Sequence, residues 1–266
     1  MLTVEIFIIF LAILFVCLIG FKKYIWFISL GYGFSISVVG IMLLILFKDI
    51  LNIGYVFGTL TLILYGIRLS GFLAIREFKN INYNNKMKKE ISDGSNIKFF
   101  VKVMLWISCG LLYLTMTSPI IYRFINNSGI DKCYIIGLII ALFGILIESI
   151  ADAQKSNAKK KNPKRFVSNG LYKIVRCPNY LGELIIWIGI FISGITSING
   201  LGQWIITIIG IIGITYIMFS GARRLELRQE RTYGENKEYQ EYVKSTPILI
   251  PFIPLYSVKK YKWLVG

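Results

Sequence analysis

Ser168-Asn169-Gly170-Leu171-Tyr172-Lys173-Ile174-Val175-Arg176-Cys177-Pro178-Asn179-Tyr180-Leu181-Gly182-Glu183 leads directly into a strongly apolar run. The stretch opens on a turn signal and carries two cations. Pro178 then fits the first turn of a helix, where its missing N–H costs nothing. A helix that starts beside Lys173 and Arg176 and continues as apolar sequence reads as a membrane helix leaving a basic surface. Its free N–H groups and dipole favour an anion. Asn179 and Glu183 are four apart and share a face, and Gly182 between them lets a backbone or ligand approach closely. Two readings are open at this point: a phosphate-binding corner, or an ordinary interfacial helix anchored by Tyr180.

The rest of the chain supports the membrane reading. It has 266 residues, is 55% hydrophobic and carries a formal net charge of +16. Its apolar residues come in blocks of about 20, the length that spans a bilayer core of roughly 30 Å. A closed β-barrel would show alternating segments of about ten residues, and these blocks do not alternate. The expectation is an all-α, polytopic bundle of seven transmembrane helices, at about 4–20, 25–47, 51–75, 99–122, 134–153, 178–198 and 201–220.

Cations cluster after the first, third, fifth and seventh blocks. They include Lys22-Lys23, then Lys79, Lys86, Lys88 and Lys89, then the segment from Lys155 to Arg165, and finally the arginine-rich tail. This alternation predicts the N-terminus outside and the C-terminus inside. It also explains the net charge without nucleic acid. The first apolar block has no basic region before it and no clear cleavage site after it, so it reads as a membrane helix and not a signal peptide. The abundance of Ile, Lys and Asn suggests an AT-rich bacterial genome and a plasma membrane.

There is no histidine, which excludes histidine general-base chemistry and histidine-ligated metal. Cys17, Cys109, Cys133 and Cys177 form no CxxC pair, so neither a disulfide framework nor a zinc site is expected.

Three further groups carry chemistry. Tyr65 and Arg68 are three apart on the third helix and share a face. An arginine there costs at least a few kcal/mol unless it faces the bundle interior, a watery cavity or the interface. It is either a snorkelling side chain or the cationic support of a phenol that donates a hydrogen bond. Glu148 and Asp152 share a face of the fifth helix, with Gln154 following. They either pair with Lys155 or Arg176, or accept from ribose hydroxyls or an amide. Arg224, Arg228 and Arg231 form one helical stripe after the seventh block, with Gly234 as a helix stop and Tyr239 and Tyr242 beyond it. Alone, such a stripe is a contact to lipid headgroups.

Taken together and in order, these pieces resemble the steroid 5α-reductase superfamily, most closely its bacterial members. The pieces are Leu171-Tyr172-x-x-x-Arg176-Cys177-Pro178-Asn179-Tyr180-Leu181-Gly182-Glu183, the upstream Glu148-x-x-x-Asp152-x-Gln154, and the tail Tyr239-x-x-Tyr242-x-x-x-Thr246-Pro247-x-Leu249-Ile250-Pro251. The resemblance implies an NADPH-dependent reductase of a carbon–carbon double bond in a lipophilic substrate. It implies one integral membrane domain, with a substrate cavity in residues 1–133 and a cofactor half in residues 134–266. Asp152, Arg176, Asn179, Tyr180, Glu183, Arg224, Arg228 and Tyr242 are the cofactor candidates by motif position. Glu148, Gln154 and Tyr239 join them from the same motifs. Tyr65 and Arg68 match a Tyr-x-x-Arg whose tyrosine binds the substrate carbonyl.

This chain departs from the pattern twice. Cys177 stands where most bacterial relatives have histidine. The second helix also lacks the glutamate that partners the tyrosine in steroid reductases. A second reading, from a related branch, is an S-adenosylmethionine-dependent isoprenylcysteine carboxyl methyltransferase. A third is a non-enzymatic lipid-binding membrane protein. Membrane lipids and a lipophilic small molecule are the expected partners, and no obligate protein partner is evident.

Overall fold

A computed structural model describes residues 3–79 and 97–265. Lys86, Lys88 and Lys89, and the side chain of Lys79, lie outside the described part. The longer helices are α1 Val4–Cys17, α2 Leu30–Leu46, α3 Ile53–Lys79, α4 Phe99–Ile125, α5 Lys132–Lys161, α6 Pro178–Gly194 and α7 Gly200–Tyr233, followed by a short α8 Lys237–Ser245. There is no strand among the described residues. Among the described residues, seven segments are long and apolar enough to cross a membrane, as the sequence leads one to expect.

Several ends differ from the expected bounds. The first two spans are completed by 3-10 turns, Leu18–Phe21 and Tyr24–Phe27. The second span is broken before α2, where Ser29 donates to the Ile25 carbonyl (3.0 Å) and Tyr113 donates to that of Phe27 (2.7 Å). α5 does not stop near Ala153 before a separate basic segment. Lys155, Lys159, Lys160 and Lys161 continue it, because lysine, alanine and glutamine are good helix formers and no breaker occurs before Asn162-Pro163. α7 likewise runs through the arginine stripe without a break at Ser220. It ends at Gly234, whose N–H returns to the Glu230 carbonyl (2.8 Å).

The chain forms two compact units, Met1–Leu138 with Ile190–Gly210, and Ile139–Gly189 with Ile211–Gly266. In the first unit, α2 and α3 meet along small residues. A Cβ at Gly33 would lie 2.7 Å from the Gly66 carbonyl, and one at Gly40 would lie 2.8 Å from that of Thr59. Ser37 and Ser70 bond across the same seam to the carbonyls of Ile63 (3.2 Å) and Leu30 (2.9 Å). Lipid offers helices no hydrophobic drive to associate, so close backbone approach and such hydrogen bonds hold them together.

A second anchor in this unit is Arg123, fully buried at the end of α4. Its Nε donates to the Ser193 carbonyl (2.9 Å) and its Nη1 to that of Gly129 (2.7 Å). Its Nη2 reaches Asp131 (3.1 Å) and Thr196 (2.6 Å). Burial alone would raise the carboxyl of Asp131, but the bonds from Thr196 and the Tyr134 N–H and the charge of Arg123 outweigh it and hold it below its ordinary value.

In the second unit, α5 and α6 touch through Gly144 and Gly182. A Cβ at Gly182 would lie 2.7 Å from the Glu148 nitrogen, and one at Gly144 would lie 2.7 Å from the Gly182 carbonyl. Gly182 thus admits a neighbouring helix backbone, and this sets Glu148 beside the first turns of α6.

Candidate functional site

The first unit holds the tyrosine of the expected catalytic pair. Tyr65 is buried on α3 and donates its hydroxyl to that of Tyr32 on α2 at 2.9 Å. Tyr32 stacks on Tyr113, with centroids 5.0 Å apart. Arg68 stands one turn beyond Tyr65, half-buried, with its guanidinium over the Phe72 ring at 5.9 Å. Tyr32 escaped the sequence reading because a tyrosine within an apolar helix looks like ordinary core. The bare lack of a carboxylate on the second helix was the one hint that another group partners Tyr65.

The second unit gathers the rest around the start of α6. Tyr180 packs its ring against Gly221 of α7, and it lies within electrostatic reach of Cys177, Glu183, Arg224 and Arg228. Tyr172 is likewise close to Asp152, Cys177 and Tyr242. Glu148 and Glu183 are both buried. Residues from three sequence motifs therefore share one region.

Much of this region is closed by the chain's own tail. The N–H groups of Arg176 and Cys177 donate to the carbonyls of Pro247 and Ile248, both at 2.9 Å. The buried Arg176 ion-pairs through Nη2 with Glu226 at 3.0 Å, and the same nitrogen meets the Tyr256 carbonyl. Glu226 also accepts from the Val258 N–H at 2.9 Å. The corner read as a phosphate site is thus partly filled by backbone, and half of the Arg176 guanidinium is committed to holding the tail. Glu226 was not singled out in the sequence, where it is one charge in an arginine-rich helix.

Other candidates also have structural duties. Gln154 accepts from the Leu171 N–H (3.0 Å) and braces the turn Gly170–Lys173, where Gly170 sits at φ +63° against the amide. Tyr242 donates to the Tyr172 carbonyl (2.7 Å), and Tyr172 donates to that of Ala151 (3.3 Å). Burial pushes the Tyr172 and Tyr242 phenols well up, and Tyr239 up to about 12. Burial also raises the Cys177 thiol to about 12, against the opposing charges of Arg176 and Lys155. Burial thus works against ionisation at all four groups, and a thiol at Cys177 cannot take on the positive charge of a histidine.

What remains is a set of buried polar atoms that make no hydrogen bond. They are Nε and Nη1 of Arg176, Oδ1 of Asn179, Oγ of Ser220 and the Tyr239 hydroxyl. Tyr239 lies against Arg176, whose charge and loose hydrogen bond both act on the phenol, although the contact falls short of strict hydrogen-bond geometry, so these two groups partly serve each other. A buried polar group left unmade costs about 1–3 kcal/mol, so the atoms on Arg176, Asn179 and Ser220 call for polar partners, both donors and acceptors. Ser220 was missed by the sequence reading. Its position, where α7 passes from apolar to charged residues, is the only signal that marks it.

A family model described as "Protein of unknown function (DUF1295)" matches residues 15–246. The chain is 25% identical over 123 residues to 3-oxo-5-alpha-steroid 4-dehydrogenase 1 of Rattus norvegicus, covering 46% of this chain and 42% of the relative. It has the same identity and length of match to Steroid 5-alpha-reductase DET2 of Arabidopsis thaliana, over 45% and 42%. The match therefore spans about two fifths of each curated relative. No solved structure is significantly similar. With most of its length matched, the chain belongs to the DUF1295 family, within the steroid 5-alpha-reductase superfamily.

Proposed function

We propose that this protein is a membrane-embedded, NADPH-dependent reductase of a polarised carbon–carbon double bond in a lipophilic substrate. It would act in a bacterial plasma membrane with its C-terminus inside. The observation that carries the reading is the set of unbonded buried polar atoms on Arg176, Asn179 and Ser220. The distant likeness to steroid 5-alpha-reductases supports the same class of activity.

When bound, NADPH would supply a hydride to one alkene carbon and leave as NADP+, and a proton drawn ultimately from water would complete the other carbon. The chain's own residues then divide the remaining tasks. Asn179 accepts from an amide through Oδ1. Glu148, Asp152 and Glu183 accept from hydroxyl or amide donors. Arg224 and Arg228 offset phosphate charge beside Tyr180, joined by the Nε–Nη1 edge of Arg176, whose flat fork suits a phosphate. Gln154, Tyr242 and Glu226 act indirectly, by fixing the turn, the tail and the arginine.

In the first unit, Tyr65 donates to the carbonyl that polarises the alkene, where negative charge develops. Once the Tyr65 proton turned from the Tyr32 oxygen to the substrate, Tyr32 would donate back to Tyr65, reversing their present hydrogen bond and strengthening Tyr65 as a donor. Arg68 adds positive charge one turn away. A hydroxyl pair thereby takes the part that a carboxylate would otherwise play beside the tyrosine.

Thermal stability of the purified protein, titrated with NADPH and with S-adenosylmethionine, tests the reading. NADPH should raise the melting temperature, and Asn179→Ala should abolish that rise while leaving the ligand-free melt unchanged. Stabilisation by S-adenosylmethionine alone would favour the methyltransferase reading and overturn this one.

A further inference from the structure

The chain beyond α8 folds back along α7. Val258 and Leu264 are buried, at 1% and 2% exposure, and act as its plugs. Arg223 donates from Nε to the Lys259 carbonyl (3.2 Å) and from Nη1 to the Leu264 carbonyl (3.1 Å). Tyr216 donates its hydroxyl to the Trp263 carbonyl (2.9 Å), accepts from the Val265 N–H (3.2 Å), and stacks its ring on that of Trp263. The segment therefore runs beside α7 from Glu226 to Tyr216, about 15 Å at 1.5 Å per residue.

That path sets its depth. Tyr216 lies within the last apolar turns of α7, and Arg223 follows where charged residues begin. Trp263, stacked on Tyr216, is brought to the level where aromatic side chains mark a membrane interface, and it is 65% exposed. Lys260 and Lys262 are exposed on either side of Tyr261. Lys259 is taken by Glu230 at 2.5 Å, so the other two lysines carry the charge of the segment.

A second apolar point stands at the turn Pro251-Phe252-Ile253-Pro254. Phe252 is 97% exposed and has φ +65°, a left-handed conformation that a bulky residue adopts only under strain. The turn is held in place where the Ile248 N–H meets the Leu255 carbonyl and the Cys177 N–H meets the Ile248 carbonyl, both at 2.9 Å. Cys177 immediately precedes α6, so this turn is tethered at the mouth of a membrane helix. A strained backbone here holds a phenyl ring out, away from the protein.

We infer that residues 251–265 form a docking surface for an anionic phospholipid leaflet. Phe252 and Trp263 enter the interface, and Lys260 and Lys262 take lipid phosphate. Charge argues for this occupant over a second copy of the chain, because two such lysine faces would repel each other. Depth argues for it over a soluble partner, because Trp263 sits against the apolar end of a membrane span.

The test uses the intact protein in nanodiscs of phosphatidylcholine, with and without phosphatidylglycerol, each lipid brominated in turn. Quenching of tryptophan fluorescence by brominated phosphatidylglycerol should exceed that by brominated phosphatidylcholine, and Trp263→Phe should remove the difference. Each basic side chain near an anionic surface contributes about fivefold to its binding. The double substitution Lys260→Gln with Lys262→Gln should therefore weaken retention of phosphatidylglycerol in native mass spectra by about thirtyfold. High salt should weaken it too. Equal quenching by the two lipids, retention unchanged in the double variant, or a Trp263 shielded by a second chain would each overturn the inference. None of these readouts depends on the cofactor.

Discussion

Two buried arginines, one in each unit, make a natural comparison. Arg123 in the first unit is bonded at all three guanidinium nitrogens, through Ser193, Gly129, Asp131 and Thr196. The Tyr134 ring lies 4.9 Å from the same group. Arg176 in the second unit is just as buried, yet Nη2 alone is bonded, to Glu226 and Tyr256. A buried charge is costly unless its partners are complete. The saturated arginine is scaffold, and its bonds fix the end of α4 against the turn before α7. The half-bonded arginine keeps an Nε–Nη1 edge beside Tyr239 that makes no strict hydrogen bond, and this is the edge proposed to meet the cofactor.

The comparison is broken most severely at the saturated end. Arg123→Ala leaves the carbonyls of Ser193 and Gly129 without their donor, at about 1–3 kcal/mol for each that stays buried, and empties the space of a fully buried side chain, whereas the lost pairing with the partly exposed Asp131 adds little. The melting temperature should fall sharply, and NADPH should not restore it. A variant as stable as the parent would mean that the network is dispensable.

Next in size is Tyr65→Phe, which removes the proposed donor to the substrate carbonyl. Positioned proton donors contribute about a hundredfold or more to rate, so turnover should fall by about that much while NADPH binding holds. Tyr32→Phe removes one neutral hydrogen bond and should cost about fivefold. Steady-state rates on a panel of lipophilic enones give both numbers. Equal effects of the two variants would mean that Tyr32 is itself the donor.

The smallest effect concerns pH. The folded chain lowers the Asp131 carboxyl below its ordinary value of 3.8, so its stabilising contribution is present above that value and is lost as pH falls through the folded value. The carboxyl is partly exposed and solvent-screened, so the contribution is small. Acid melting curves of Asp131→Asn should show a weaker dependence in that window. An identical acid limb would remove Asp131 from the lock.

The sequence made the spans legible because blocks of apolar residues long enough to cross a bilayer have few other uses. It misled at the ends of α5 and α7. There Lys155–Lys161 and Arg223–Arg231 looked like loops or a separate helix, although both continue a membrane helix beyond its apolar part. The break before α2 depends on Tyr113, a residue 86 positions from the carbonyl that it holds, and no local pattern reports such a contact.

In the second unit, Asp152, Tyr180, Arg224 and Tyr242, candidates by their match to the family's motifs, lie around Tyr172 and Cys177. Which atoms of these residues are already bonded depends on the tail carbonyls of Pro247, Ile248 and Tyr256. Backbone carbonyls carry no signature in sequence. Tyr32 and Ser220 were hidden for a related reason: each is a polar atom on an otherwise apolar face, and only a three-dimensional partner, or the lack of one, distinguishes it from core.

The difference between the two arginines reduces to one titration. NADPH fluorescence is followed as purified protein is added, for the parent chain and for Arg176→Lys. Lysine keeps a positive charge beside Glu226 but lacks the planar Nε–Nη1 edge. The account predicts saturable binding of one NADPH per chain, weakened about tenfold or more in Arg176→Lys, in line with the worth of a charged hydrogen bond. Saturable binding that is unchanged in Arg176→Lys would make Arg176 a scaffold residue like Arg123, and no binding to the parent chain would contradict the account at its centre.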